Sequence, residues 1–246
     1  MRSHVPGIVA HRGFNGCYPE NTRRAFEEAL KLDIYGIECD VNMTKDGQAV
    51  VIHDLSVDRT AMTADGERAT GEVAELTLEE IRQLNFGTPE DPQQIMLLSE
   101  LLDLLAQYPG KHLLIETKHP SPFGAELDEE VARVVRAHSM DTGEQVHLIS
   151  FNPEAIERFR ELLPELRSFA LMDPTDPLPV DFGQATGPGP SVRQAQAEPE
   201  ALGAAEQPSY VWTVNLPREM QWCRARGVDL MATDLPQLAL ETFAGE

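Results

Sequence analysis

The stretch Gly36-Ile37-Glu38-Cys39-Asp40-Val41-Asn42-Met43-Thr44-Lys45-Asp46-Gly47-Gln48-Ala49-Val50-Val51-Ile52-His53-Asp54 decides the fold. Gly36–Val41 reads as a β-strand, and so does Ala49–His53. Residues two apart on a strand share a face, so Glu38 and Asp40 project together while Ile37, Cys39 and Val41 point the other way. A strand with carboxylates on one face and apolar side chains on the other, set among βα repeats, belongs in a barrel wall with helices outside and a polar mouth inside. Only seven residues, Asn42 to Gln48, separate the two strands. A parallel crossover needs about a dozen or more, so Ala49–His53 is expected to fold back antiparallel through the Lys45-Asp46-Gly47 turn.

Working outward, short β-rich runs alternate with segments of helical period, the βαβ signature. The expected strands are Ile8–Ala10, Gly36–Val41, Ala49–His53, His112–Lys118, Val146–Phe151, Ser168–Met172, Val211–Asn215 and Leu230–Thr233. The expected helices are Thr22–Leu32, Leu78–Leu84, Leu98–Ala106, Ala125–Ala137, Pro153–Leu162 and Arg218–Arg226. Setting aside the hairpin strand leaves seven barrel strands. The eighth must lie in Asp173–Pro208, where Val180–Thr186 is the candidate, followed by a weak helix near Val192–Ala205. Gly187-Pro188-Gly189-Pro190 reads as a turn. Residues 62–94 read as a small insertion over one end of the barrel. The expectation is an α/β fold, a (β/α)8 TIM barrel forming a single domain over 1–246, with an extra antiparallel hairpin strand and that excursion.

The chain has 246 residues, 41% of them hydrophobic and 25% charged, which suits one barrel with a real core. Its net charge of −21 repels nucleic acid and anionic membranes. No apolar run approaches the ~20 residues that span a bilayer. Met1 to Gly7 carries no apolar leader, so no signal peptide is expected, and three cysteines without a CxxC pair suit a reducing, cytoplasmic setting. No stripe on the surface predicts an oligomeric state.

The chemistry concentrates at strand ends. His11-Arg12-Gly13 closes the first strand at the edge where barrel enzymes keep their reactive groups. Arg12 is a planar donor fork suited to phosphate. Two interior carboxylates, Glu38 and Asp40, would repel each other at a cost of several kcal/mol unless a cation lies between them. Oxygen ligands alone favour Mg²⁺ or Ca²⁺. Ile115-Glu116-Thr117-Lys118 adds a third carboxylate and an ammonium on one face. His53 ends the hairpin strand on the same side as His11, and two imidazoles beside a metal are what acid/base cleavage of a phosphodiester needs. His4, His112, His119, His138 and His147 read as structural or exposed.

These residues also carry a resemblance. His11-Arg12-Gly13 followed by Pro19-Glu20-Asn21-Thr22, then Glu38-Cys39-Asp40-Val41, Thr44-Lys45-Asp46-Gly47, His53-Asp54 and Arg59-Thr60, resembles the glycerophosphodiester phosphodiesterase family, a relative of phosphatidylinositol-specific phospholipase C. Ile115-Glu116-Thr117-Lys118, Ser150-Phe151, Trp212-Thr213-Val214-Asn215 and Thr233-Asp234-Leu235-Pro236 continue it. The chain departs from the family at Ile95-Met96-Leu97-Leu98 and over Asp173–Pro208.

The resemblance implies one divalent cation, Mg²⁺ or Ca²⁺, on Glu38, Asp40 and Glu116. It implies His11 and His53 as general acid and base, with their order open, Arg12 and Lys118 on phosphate oxygens, and Trp212 lining the pocket. The implied reaction is hydrolysis of a glycerophosphodiester such as glycerophosphocholine or glycerophosphoethanolamine to sn-glycerol 3-phosphate and an alcohol. The glycerol 2-hydroxyl attacks phosphorus, and water then opens the cyclic phosphate. One alternative is a lysophospholipase D-like reaction, which calls for an apolar groove at the barrel mouth; residues 62–94 show little apolar character. A second alternative, a catalytically silent metal- or phosphodiester-binding protein, calls for a missing histidine or carboxylate, and none is missing.

Overall fold

The computed structural model describes residues 5–142, 145–172, 175, 183–203 and 207–244. The alternating strand is buried along its whole length: all eight residues of β2 (Gly36–Met43) are out of solvent. Ile37, Cys39 and Val41 pack outward with Phe26, Ala29 and Leu30 of α1 (Arg23–Leu30) and with Leu101, Leu102 and Leu105 of α3 (Leu98–Leu105). Glu38 and Asp40 therefore face inward. The same alternation runs round the wall. Val9 of β1 (Gly7–Ala10), Leu114 of β4 (His112–Thr117), Ile149 of β5 (Val146–Ser150) and Phe169 of β6 (Arg167–Met172) form a separate inner cluster with Tyr210 and Ala232.

One sheet holds these strands in the order β7-β6-β5-β4-β2-β1-β9-β8, with β7 at Gly187–Pro190, β8 at Tyr210–Val211 and β9 at Leu230–Thr233. All neighbours along that path are parallel. A parallel bridge from Ser191 to Trp212 brings the two ends together. The result is a nearly closed barrel of eight parallel strands, the (β/α)8 architecture, with β3 (Ala49–Val51) hung antiparallel on β2 in the register Val41 to Val51. Helices α4 (Glu126–Ala137), α5 (Pro153–Leu162), α7 (Pro217–Arg226) and α8 (Pro236–Ala244) complete the outer layer. The excursion builds its own small apolar cluster, with Val57, Ala61, Val73, Ile81 and Phe86 packed on Val50, Ile52 and Ile95. A capping box between Thr77 and Glu80 starts its one-turn helix α2 (Leu78–Ile81).

The reading of Gly187-Pro188-Gly189-Pro190 as a turn is wrong: it is strand β7, paired with Phe169 to Met172. Turn chemistry loses here to close packing. A Cβ at Gly187 would lie 1.8 Å from the Pro208 carbonyl oxygen, so only glycine fits against the next connection. On its other side β7 forms no ladder with β8 among the described residues beyond the Ser191–Trp212 bridge, so its prolines cost no ladder bond there. Of the candidate Val180–Thr186, residues 180–182 lie outside the described residues, and 183–186 form no strand. The expected helix at Val192–Ala205 is α6 (Val192–Ala197) followed by a 3₁₀ turn at Pro199–Leu202. The strand expected at Val211–Asn215 is shorter, because beyond Trp212 the chain turns to bring the Asn215 side chain to Asp234.

Candidate active site

One mouth collects residues from within β2 and β4 and from just past the ends of β1, β3, β4 and β8. A cavity of about 130 Å³ there is lined by His11, Arg12, Glu38, His53, Glu116, Lys118 and Trp212. These are seven of the eight residues singled out in the sequence. The eighth, Asp40, is fully buried just beneath them. Register explains the meeting: Asp40 stands beside Glu116 across the β2–β4 seam, and Glu38 shares its face two residues earlier.

Glu38, Asp40 and Glu116 each present an oxygen within 4.8 Å of the others. Three buried carboxylates at that spacing cannot all be charged without compensation. Burial, with the charges of Asp40 and Glu116 added, pushes Glu38 well above the usual carboxylate range. Burial and Asp40 likewise lift Glu116 to about 7, against the pull of Lys118. Burial also works against Asp40, but Lys118 and Arg12 outweigh it and hold Asp40 at about 2. Lys118 Nζ lies 2.6 Å from Glu116 and 3.3 Å from Asp40. Arg12 Nε is 3.2 Å from Asp40, a charge contact without hydrogen-bond alignment. Two protein cations thus face three carboxylates. Asn21 donates to Asp40 at 2.9 Å, while its own Oδ1 is buried without a partner. The excess negative charge and this orphaned acceptor fit a hard divalent cation bound through oxygen.

The backbone is bent to serve the cluster. Arg12 sits at φ +54°, a conformation costly for a bulky side chain, and its amide donates to Glu38 at 2.9 Å.

Both histidines are held in the same way. His11 Nδ1 lies 2.7 Å from Asp234, which also accepts from Asn15 at 2.8 Å and from Asn215 at 2.6 Å. Burial opposes ionisation of Asp234, but the bond from His11 prevails and keeps it a carboxylate. An acceptor there requires the hydrogen on Nδ1, which leaves Nε2 of the neutral ring as the acceptor nitrogen. His53 Nδ1 lies 2.6 Å from Asp54, and Arg59 grips Asp54 and Glu20 together at 2.6 to 3.1 Å. Glu20 then reaches Arg12 at 3.0 Å. Burial, with Lys118 and Arg12 nearby, holds His53 below its ordinary value despite the pull of Asp40.

The opposite wall is apolar: Ile149, Phe151, Leu171, Tyr210 and Trp212. Trp212 is fixed by its indole N–H on the Gly189 carbonyl at 2.7 Å and by an edge contact with Phe151. Sequence reasoning named neither this wall beyond Trp212 nor the carriers of the histidines, Asp54 and Asp234. Asp54, Asp234, Glu20, Asn21 and Arg59 all stood in the motif blocks, so the signal was present without a geometry to interpret it. Of the five remaining histidines, His4 lies outside the described residues, and His112, His119, His138 and His147 do not line the cavity. His119 bonds Asp128 at 3.0 Å and His147 meets the Tyr35 hydroxyl at 2.7 Å.

A phosphate-sized cavity with paired histidines over a carboxylate triad, on a (β/α)8 barrel, defines a phosphodiester hydrolase site. Sequence comparison agrees. The profile of the glycerophosphoryl diester phosphodiesterase family matches residues 11–238. The Bacillus subtilis protein YhdW is 33% identical over 250 residues, covering 95% of this chain and 96% of the relative. The glycerophosphodiester phosphodiesterase of Bacillus altitudinis is 32% identical over 244 residues, with 95% and 96% covered. A crystal structure from Silicibacter pomeroyi superposes with a TM-score of 0.86 at 28% identity, over 99% of this chain and 95% of that one. An Oleispira antarctica phosphodiesterase, solved in complex with its product sn-glycerol-3-phosphate, shares the fold with a TM-score of 0.82 at 24% identity, with 98% of both chains covered. The chain belongs to the glycerophosphoryl diester phosphodiesterase family and is an enzyme of that class. Among the described residues no helix is long and apolar enough to cross a membrane.

Proposed function

We propose that this enzyme hydrolyses small glycerophosphodiesters, such as glycerophosphocholine or glycerophosphoethanolamine, to sn-glycerol 3-phosphate and the free alcohol. The observation that carries the reading is the pairing of two carboxylate-anchored histidines with the buried triad around one small cavity. Glu38, Asp40 and Glu116 would hold one Mg²⁺ or Ca²⁺. When bound, the cation would supply positive charge to a phosphate oxygen and acidify a nearby hydroxyl. Arg12 and Lys118, which line the same cavity, would offer their charges to the phosphate oxygens. Their two positive charges then meet the charge that grows on phosphorus in the transition state.

His53, kept neutral by burial and by its cationic neighbours, takes the proton of the attacking glycerol hydroxyl. His11, braced by Asp234, gives a proton to the departing alcohol oxygen. The new P–O bond closes a cyclic phosphate as the bond to the alcohol breaks. Water then adds with the two histidines exchanging roles, which returns each to its starting protonation state. Trp212 and its apolar neighbours exclude water behind the phosphate. A substrate that is zwitterionic or singly anionic is little repelled by a net charge of −21. Buried, unpaired Cys39 and Cys223 suit a reducing compartment, and we place the enzyme in the cytoplasm. The test is glycerol 3-phosphate release from glycerophosphocholine by protein stripped of cations, then resupplied with Mg²⁺ or Ca²⁺. Release with one of them and loss on chelation support the reading. Release unaffected by chelation contradicts the cation's part in it.

A further inference from the structure

Arg59 does not line the catalytic cavity, yet its guanidinium joins two otherwise separate arms of the site. On one side Nε and Nη2 donate to Asp54, at 2.6 and 3.1 Å, and Asp54 holds Nδ1 of His53 at 2.6 Å. On the other, Nη1 and Nη2 each donate to Glu20 at 2.7 Å, and Glu20 also accepts from Nη1 of Arg12 at 3.0 Å. The two carboxylates come from different loops, one after β1 and one after β3. A single planar fork grips both, which a lysine could not do.

The chain is built to deliver this side chain. Arg59 sits on the turn that leads into the excursion, between Val57 and Ala61, both buried in the excursion's apolar cluster. The amides of Thr60 and Ala61 donate to the Val57 carbonyl, and Arg68 donates to the Arg59 carbonyl at 2.8 Å. The backbone beneath Arg59 is therefore fixed, while its side chain is 48% exposed. An ordinary ion pair that open to water contributes little to stability. Four close bonds to two carboxylates, each tied to a group of the site, call for another role.

We infer that Arg59 is a positioning residue: through Asp54 it sets the orientation of His53, and through Glu20 it keeps Arg12 available to the phosphate. This rests on the roles given to His53 and Arg12 above. Arg59 and Arg12 together balance Glu20 and Asp54, two positive charges against two negative. Without Arg59, Glu20 is left with Arg12 and holds it more tightly, away from phosphate, so substrate binding weakens. Asp54 loses the donor to its Oδ2 and the fork that fixes its plane, so His53 is less well aimed and turnover falls. One lost side chain thus produces two separable defects, in KM through Glu20 and in kcat through Asp54. The excursion gains a function as well: it is the strut that presents Arg59 to the barrel mouth.

The experiment measures kcat and KM for glycerophosphocholine with cation-loaded wild type and Arg59 variants, each beside a thermal melt. Arg59→Ala should lose about 10- to 100-fold in kcat/KM, with kcat lowered and KM raised, as for other groups that orient the ones that react. Adding Glu20→Gln removes the carboxylate that retains Arg12. It should bring KM back to within about threefold of wild type while kcat stays low, the non-additivity expected of groups in contact. Because Arg59 is half exposed, guanidinium ion far below denaturing concentration can enter the space that Arg59→Ala leaves. It should restore activity, and methylammonium at equal ionic strength should not, since it lacks the fork. Arg59→Lys keeps the charge and should melt like wild type, yet still lose about tenfold in kcat/KM. Recovery of KM by Glu20→Gln together with rescue by guanidinium upholds the inference. Arg59→Ala with kcat/KM within about twofold of wild type overturns it. So does a loss that follows a lowered Tm and that neither guanidinium nor Glu20→Gln relieves; in both cases wild-type turnover keeps the underlying reading. Folded, cation-loaded wild type that turns over no glycerophosphocholine overturns both.

Discussion

His11 and His53 each have one ring nitrogen tied to a carboxylate, so each is presented to substrate through the other. Replacing either by alanine should lower kcat by about 10² to 10⁴ with little change in fold, read by steady-state kinetics beside a thermal melt. Asp234→Ala and Asp54→Ala remove only the tether, so the expected loss in kcat is smaller, about 10- to 100-fold, with a displaced pH profile. Equal kcat for wild type and both aspartate variants would contradict the anchoring. The triad makes its own prediction. Burial and Asp40 raise Glu116 to about 7, and a cation competes with that proton. Glu38, also raised by burial and its carboxylate neighbours, must shed its proton as well, so cation affinity should weaken as pH falls from 8 to 6. Calorimetric titration at pH 6 and pH 8 checks this, and equal affinities would refute it. At this scale the sequence was highly informative. Strand periodicity put Glu38, Asp40, Glu116 and Lys118 on one face, and all eight chosen residues meet. The positioning groups were not readable, because Asp234 reaches His11 across more than two hundred residues and nothing local encodes that contact.

Barrel geometry depends on seams between elements, and the β2–β4 seam carries the three carboxylates of the triad. There the backbones approach so closely that a Cβ at Gly36 would lie 2.1 Å from the His112 carbonyl oxygen. Gly36→Ala should force the strands apart, costing about 1–3 kcal/mol of stability. For a chain of this size that is a fall of roughly 2–4 °C in Tm per kcal/mol, seen by differential scanning calorimetry. An unchanged Tm would show that the seam tolerates the shift. Elements with strong periodicity were legible: the hairpin from β2 to β3 was set by the short Asn42–Gln48 connection, and α4 and α5 by their apolar stripes. β7 was not, since Gly-Pro-Gly-Pro carries turn chemistry and becomes a strand only because Phe169 to Met172 and the Pro208 connection are already in place around it. Helix α8 follows the last quoted strand and was passed over, although its Pro236 is a good first helical residue.

Taken whole, the molecule carries 41 acidic against 20 basic side chains, and at its mouth three buried carboxylates face two protein cations. A cation that binds the folded state and not the unfolded chain must stabilise it, by about 2.7 kcal/mol at a hundredfold excess over Kd. Mg²⁺ or Ca²⁺ should raise Tm in wild type but not in Asp40→Asn, and equal shifts in both would place the cation elsewhere. The central claim is that the barrel mouth cleaves a glycerophosphodiester with the help of that triad. The most direct measurement is a ³¹P NMR time course of glycerophosphocholine with cation-loaded wild type and with Asp40→Asn. The account predicts that the diester resonance converts to that of a phosphomonoester with wild type and persists with the variant. A diester resonance that persists with folded, cation-loaded wild type, or one that Asp40→Asn consumes at the same rate, would contradict it.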